Sequence, residues 1–161
     1  MIKGKGKVIL LIGKKDAGKT TKVKELLRKS KKHELIYDFR SEYGYKLLDI
    51  DDFLELALLE ENCNIVIEEC TVYLDHKSDN RKVKNLLSGA SHKNNNIYLL
   101  YHTMRSIPGY IFDLIDYYYL FHTSDNEGVV RKLFRYEPDI IEDFLLVKGK
   151  TNPHFYTVRK R

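Results

Sequence analysis

Residues 8–20 read Val8-Ile9-Leu10-Leu11-Ile12-Gly13-Lys14-Lys15-Asp16-Ala17-Gly18-Lys19-Thr20. The first five are continuously apolar, which predicts a strand buried on both faces. The next eight match G-x-x-x-x-G-K-[ST]. A helix is expected over residues 19–31, with Val23, Leu26 and Leu27 on one face. Strand, glycine-bounded loop and helix start together make an anion cradle. Gly13 and Gly18 admit backbone angles that a Cβ obstructs, so the N–H groups of Gly13, Lys14, Lys15, Asp16, Ala17 and Gly18 can curl around phosphate oxygens. The helix adds the positive end of its dipole at Lys19, Thr20 and Thr21. In such a loop Lys19 reaches the β- and γ-phosphates, and the Thr20 hydroxyl is a ligand for Mg²⁺. The expected substrate is a nucleoside triphosphate, with Mg²⁺.

Outward from this loop the chain alternates short apolar runs with helical stretches. Strands are expected at 34–39, 64–68, 97–101 and 117–121, and helices at 50–61, 78–92 and 137–146, with a short helix opened by Pro108. A last strand at 155–158 is expected to pair with Leu145–Lys148 across Lys150-Thr151-Asn152-Pro153, making a C-terminal hairpin over 145–158. Alternation of this kind predicts an α/β fold of three layers around a mostly parallel sheet. With 161 residues and neither repeat nor linker, one domain over 1–161 is expected. Hydrophobic residues at 43% and charged residues at 32% exclude a wholly disordered chain.

Charge is unevenly spread. Residues 1–32 hold 12 basic and 2 acidic side chains, residues 33–75 hold 12 acidic and 2 basic, and residues 76–161 hold 14 basic and 9 acidic. The basic start and the basic end, Val158-Arg159-Lys160-Arg161, suit a polyanion, or else form a solvated helix face and a solubilising tail. Cys63 and Cys70 are the only cysteines, too few for a disulfide scaffold, so a reducing cytoplasm is expected. No apolar run reaches ~18–20 residues, and neither a membrane partner nor a cleaved leader is expected. His33, His76, His92, His122 and His154 have no zinc-ligand spacing with the cysteines, so no structural zinc is expected.

A phosphate loop needs an acid at a strand end to serve the metal. Ile65-Val66-Ile67-Glu68-Glu69 supplies two. Side chains alternate along a strand, so the pair diverges. Glu68 takes the metal side, and Glu69 sits where a general base can polarise water. Two adjacent acids favour hydrolysis over transfer to a substrate hydroxyl.

With these residues in place, the sequence resembles the additional-strand catalytic-glutamate P-loop ATPases. Within them it resembles the HerA/FtsK branch, most of all the viral and phage DNA-packaging ATPases. Tyr37-Asp38-Phe39-Arg40-Ser41-Glu42-Tyr43 resembles the strand-two signature of that branch. Arg81…Leu86-Leu87…His92 resembles the helix after Walker B. Ile97–Tyr101 with His102-Thr103-Met104-Arg105-Ser106-Ile107-Pro108 resembles the sensor strand and its proline turn. Asp116-Tyr117-Tyr118-Tyr119-Leu120-Phe121 resembles strand five. The likeness runs over residues 7–158, with two departures: Glu68 stands where Asp is usual, and His102 where the sensor is often Gln. The resemblance implies a motor that hydrolyses ATP and translocates double-stranded DNA. It implies a homo-oligomeric ring, pentamer or hexamer, with a viral portal or capsid component as partner in the host cytoplasm. In such rings an arginine from the neighbour completes the site. Arg105 is the first candidate, Arg81 the second and Arg40 the third. Two other readings stay open: a small-molecule P-loop kinase, for which Asp38-Phe39-Arg40 is a loose substrate-site match, and a nucleotide-regulated protein-binding module. Tyr117-Tyr118-Tyr119 reads as core or subunit interface rather than a base-stacking platform.

Lys19→Ala is expected to weaken nucleotide binding and abolish turnover, because the β/γ-phosphate charge loses its fixed partner. Normal hydrolysis by a folded Lys19→Ala protein would remove the phosphate-loop assignment.

Overall fold

The computed structural model describes residues 5–38, 49–74 and 81–161. In chain order the elements are β1 (Val8–Ile12), α1 (Lys19–Arg28), β2 (His33–Tyr37), α2 (Ile50–Leu59), β3 (Cys63–Ile67), α3 (Cys70–Tyr73), α4 (Arg81–Gly89) and β4 (Asn96–Tyr101). A 3-10 turn (Met104–Ser106), α5 (Gly109–Leu114), β5 (Tyr117–Phe121), α6 (Glu127–Leu133), α7 (Pro138–Lys148) and β6 (Tyr156–Lys160) follow. The strands form one sheet in the order β2-β3-β4-β1-β5-β6. The first five are parallel, as the α/β reading requires, and β6 runs antiparallel to β5. β4 is the additional strand, hydrogen-bonded between the loop-bearing β1 and the acid-bearing β3.

The sheet divides the core in two. Val8, Leu10 and Ile12 of β1 face one side, where α2, α4, α5, α6 and α7 pack with Phe53, Leu54, Val83, Leu86, Ile111, Val130, Ile140 and Phe144. Ile9 and Leu11 face the other, where α1 packs with Val23 and Leu27. Because both faces are covered, β1 and β3 are buried along their whole length, which is why they read as unbroken apolar runs. Each Leu or Ile so enclosed contributes roughly 1.5–3 kcal/mol.

Two expectations fail at the C-terminal end. Leu145–Lys148 is no hairpin arm but the last turn of α7, whose buried Ile140, Phe144 and Val147 follow helical spacing. The final strand pairs instead with β5, Tyr119 opposite Val158. That choice satisfies the N–H and C=O groups that β5 would otherwise leave open at a sheet edge. The basic end is not a free patch either. Arg159 makes two bonds to the buried Asp143 at 2.8 and 2.9 Å, and Arg161 bonds Glu137 at 2.7 Å. Tyr118 donates to the same Asp143 at 2.5 Å, so the middle tyrosine of the triplet is core, as read. The sequence reading also missed α6, which buries only Val130 and so shows little periodicity, although Asn126 caps its start by accepting from the Gly128 N–H at 2.8 Å.

Asp143→Ala is expected to destabilise the protein by about 2–4 kcal/mol, since it strands a buried hydroxyl and a half-buried guanidinium together. Chemical denaturation measures it. A loss under ~0.5 kcal/mol would mean that β6 is not pinned through this residue.

Candidate nucleotide site

The carboxyl ends of β1, β3 and β4 lie side by side, and the residues that follow them meet there. After β1 the chain turns through 13–18. Gly13 donates to the Tyr101 carbonyl at 3.0 Å and Lys14 to the His122 carbonyl at 2.7 Å, so the loop is sewn to the ends of β4 and β5. Gly18 has φ +106°, the left-handed region that favours glycine. Gly13 is needed for a different reason from the one expected: a Cβ there would stand 2.6 Å from the Phe121 Cβ. It is closeness of approach, not backbone angle, that excludes a side chain.

Lys19 is buried. Its ammonium donates to the carbonyls of Gly13 at 2.5 Å and Lys14 at 3.0 Å. It also lies 3.4 Å from His102 Nδ1. Thr20 donates from Oγ1 to Glu68 Oε1 at 3.1 Å, bringing the two residues expected to hold the metal into contact. A hydroxyl and a carboxylate are hard oxygen donors, the set that suits Mg²⁺. When bound, such an ion neutralises phosphate charge.

Glu68 continues the ladder of β3, its N–H donating to the Tyr37 carbonyl at 3.1 Å. Glu69 leaves that ladder with φ +55° and opens α3. This left-handed residue, uncommon for a side chain with a Cβ, is what separates the two acids. Glu69 is 8% exposed, and its Oε2 lies 2.8 Å from His102 Nε2. His102 thus stands between Glu69 and Lys19. Accepting from an ammonium at Nδ1 leaves Nε2 as the donor to Glu69, which selects the neutral Nε2–H tautomer for this arrangement. The His102 backbone N–H donates to Thr71 Oγ1 at 2.8 Å, tying the end of β4 to α3.

A cavity of about 510 Å³ opens over this cluster. Lys15, Asp16, Gly18, Lys19, Thr20, Thr21, Glu68, Glu69 and His102 line it. Arg105 and Arg81 do not. Both are exposed, on the 3-10 turn and at the start of α4. Arg40, with the rest of the Phe39–Tyr43 stretch, lies outside the described residues, while Asp38 is buried at the end of β2. The sequence reading missed the other wall: Lys22 and Glu25 of α1, Phe121, His154 and Tyr156. Lys22, next to Thr21, and Glu25, one helical turn beyond it, were findable. His154 and Tyr156 were not, because they arrive only through the pairing of β6 with β5. A hydrogen bond that the Lys22 ammonium donates to the Tyr156 side-chain oxygen, helped by Glu25, raises the pKa of Lys22. Asp125 was also missed. Its carboxylate accepts from the backbone N–H groups of Met104 at 2.7 Å and Arg105 at 3.4 Å, fixing the turn that carries Arg105.

Among solved structures the chain superposes on the genome packaging NTPase B204 of Sulfolobus turreted icosahedral virus 2. The form in complex with ATP-gammaS gives a TM-score of 0.73 over 99% of this chain and 98% of that one, at 17% identity. The complex with AMP gives 0.78 over 96% and 92%, at 16% identity. The shared fold is the α/β P-loop NTPase fold. A weaker likeness, TM-score 0.55 at 13% identity over 75% of this chain and 79% of the other, joins it to the N-terminal domain of zonular occludens toxin from Neisseria meningitidis. No protein-family model matches the sequence, and no curated protein matches it. At such identities the likeness carries the fold and its strand order. Among the described residues no helix is long and apolar enough to cross a membrane.

Glu69→Gln is expected to keep nucleotide binding and slow turnover by ~10²-fold or more, the scale of general-base loss. Glu68→Gln is expected to shift the Mg²⁺ dependence instead. Nucleotide trapping by Glu68→Gln with normal turnover by Glu69→Gln would exchange the two roles.

Proposed function

We propose that this chain is an ATP-hydrolysing motor that translocates double-stranded DNA, acts as a homo-oligomeric ring and packages a viral genome. The observation that carries this reading is the row Glu69–His102–Lys19, set beside Thr20–Glu68 at one edge of the sheet. His102, the candidate sensor, contacts both Glu69, the candidate general base, and Lys19, the candidate phosphate-binding cation, and Thr20 and Glu68 offer two oxygen donors for Mg²⁺ alongside. The loop and Lys19 bind and orient the phosphates. Glu69 is the group that takes a proton from water. His102 holds the Glu69 carboxylate in place, and through Lys19 it is coupled to the occupancy of the phosphate site. When phosphates draw Lys19 off the carbonyls of Gly13 and Lys14, His102 loses one of its two partners, and Glu69 is the other. His102 therefore fits the sensor role despite not being Gln.

The likeness to B204, which is named a genome packaging NTPase, supports the packaging role. A ring, pentamer or hexamer, is supported by the exposure of Arg105. Its guanidinium is absent from its own cavity, while its backbone is held by Asp125. Such an arginine suits a neighbour's γ-phosphate, whose oxygens match its planar fork. Arg81 is the alternative donor. A viral portal or capsid component would be the docking partner in the host cytoplasm.

The small-molecule kinase reading is weaker. It needs an arginine-rich lid, and residues 105–135 contain no such cluster. The binding-module reading leaves Glu69 without a purpose.

ATP hydrolysis is expected without any small acceptor and is expected to rise on addition of double-stranded DNA. Turnover that requires a nucleoside or nucleotide acceptor would instead favour the kinase. Arg105→Ala is expected to lose ~10³-fold in rate with little change in ATP affinity. Mixing Arg105→Ala chains with Glu69→Gln chains is expected to restore part of the activity, because some interfaces then pair an intact base with an intact arginine. A mixture as inactive as its components, with assembly verified, would place Arg105 outside the shared site.

A further inference from the structure

At the end of the sheet opposite the nucleotide cavity, β2 and β3 begin in register, with His33 paired to Cys63. Directly paired residues of neighbouring strands point to the same face, here the one that α2 covers. Glu60, the C-cap of α2, closes the third side. His33 Nε2 lies 2.6 Å from Glu60 Oε2, and one donor atom each from His33, Glu60 and Cys63 lies within 4.8 Å of the others. Sequence separation hid this cluster, because strand pairing and a helix end assemble it.

We propose that His33, Glu60 and Cys63 form a binding site for a zinc-class divalent ion, with solvent in the fourth position. Imidazole nitrogen, carboxylate oxygen and thiolate sulfur are the donors that zinc takes. The same set rejects Mg²⁺, which prefers oxygen alone. A carboxylate and a thiolate together balance a 2+ charge. Bonds of ~2.0–2.3 Å imply donor separations of about 3.3–3.7 Å, so an entering ion would part His33 from Glu60 by a small side-chain movement. The entry is open, with side-chain exposures of 56% for His33 and 34% for Glu60, while the Cys63 sulfur is sheltered. Such an ion would link three elements. It joins the first residue of the edge strand β2 to the first residue of β3 and the end of α2, at the far end of the strands from the phosphate loop.

The test is a titration of the reduced, metal-stripped full chain with Cd²⁺, followed by thiolate-to-metal charge-transfer absorption. One equivalent is expected to saturate the band, with Zn²⁺ displacing it and Mg²⁺ leaving it unchanged. Cys70→Ser is expected to keep the band and Cys63→Ser to remove it. His33→Ala and Glu60→Gln, at positions open to solvent, are expected to weaken Cd²⁺ binding by at least ~10-fold, the scale seen even for loss of an outer-sphere partner. Zn²⁺ is expected to raise the unfolding temperature of the native chain and not that of His33→Ala. No band at stoichiometric Cd²⁺, or equal affinity in His33→Ala, overturns the proposal and leaves an ion pair beside a core cysteine. A band that survives Cys63→Ser does the same.

Discussion

The parallel ladder that seats β4 between β1 and β3 sets the chemistry of this protein. Parallel strands end at the same edge, so whatever follows each one is delivered to a common place. After β1 comes the phosphate loop with Lys19, after β3 come Glu68 and Glu69, and after β4 comes His102. Were β1 and β3 direct neighbours, no side chain would stand between the ammonium of Lys19 and the carboxylate of Glu69. With β4 inserted, a neutral imidazole touches both, at 3.4 and 2.8 Å. The distance between cation and base is set by one strand width and bridged by one ring.

The same ladder needs both faces covered, and the cover is unequal. One face carries α2, α4, α5, α6 and α7, while among the described residues α1 packs on the other. That helix starts directly after the loop, and its Lys22 and Glu25 line the cavity. The far wall of the cavity comes from β6, which is kept in place by the antiparallel ladder to β5 and by Arg159 on Asp143. Placing that guanidinium against a buried carboxylate turns a tail that reads as solubilising into a structural strap.

Much of this was legible in residue order. The G-x-x-x-x-G-K-[ST] run after an apolar strand put Lys19 and Thr20 at the head of α1, because a local motif determines a local backbone. The acid pair after Ile67 was found in the same way, and its divergence was foreseen from strand alternation. What sharpened that divergence, the left-handed turn at Glu69, has no signature in a residue that carries a Cβ. The C-terminal hairpin was misjudged because a turn-like Lys-Thr-Asn-Pro stretch says where a chain reverses, not which strand it then joins.

The sequence by itself determined the strand–loop–helix unit, the parallel class of the sheet and the identity of the phosphate, metal and base candidates. Each of these depends on neighbours within a few residues: periodicity, glycine placement, the order of apolar and acidic side chains. Only the tertiary structure decided that His102 lies between Lys19 and Glu69, that Asp125 anchors the turn of Arg105, that His154 and Tyr156 wall the cavity, and that His33 meets Cys63. Those contacts join residues tens of positions apart, and strand order and register create them. Register is fixed by which faces must be buried together across the whole sheet, a condition that no short stretch of residues contains.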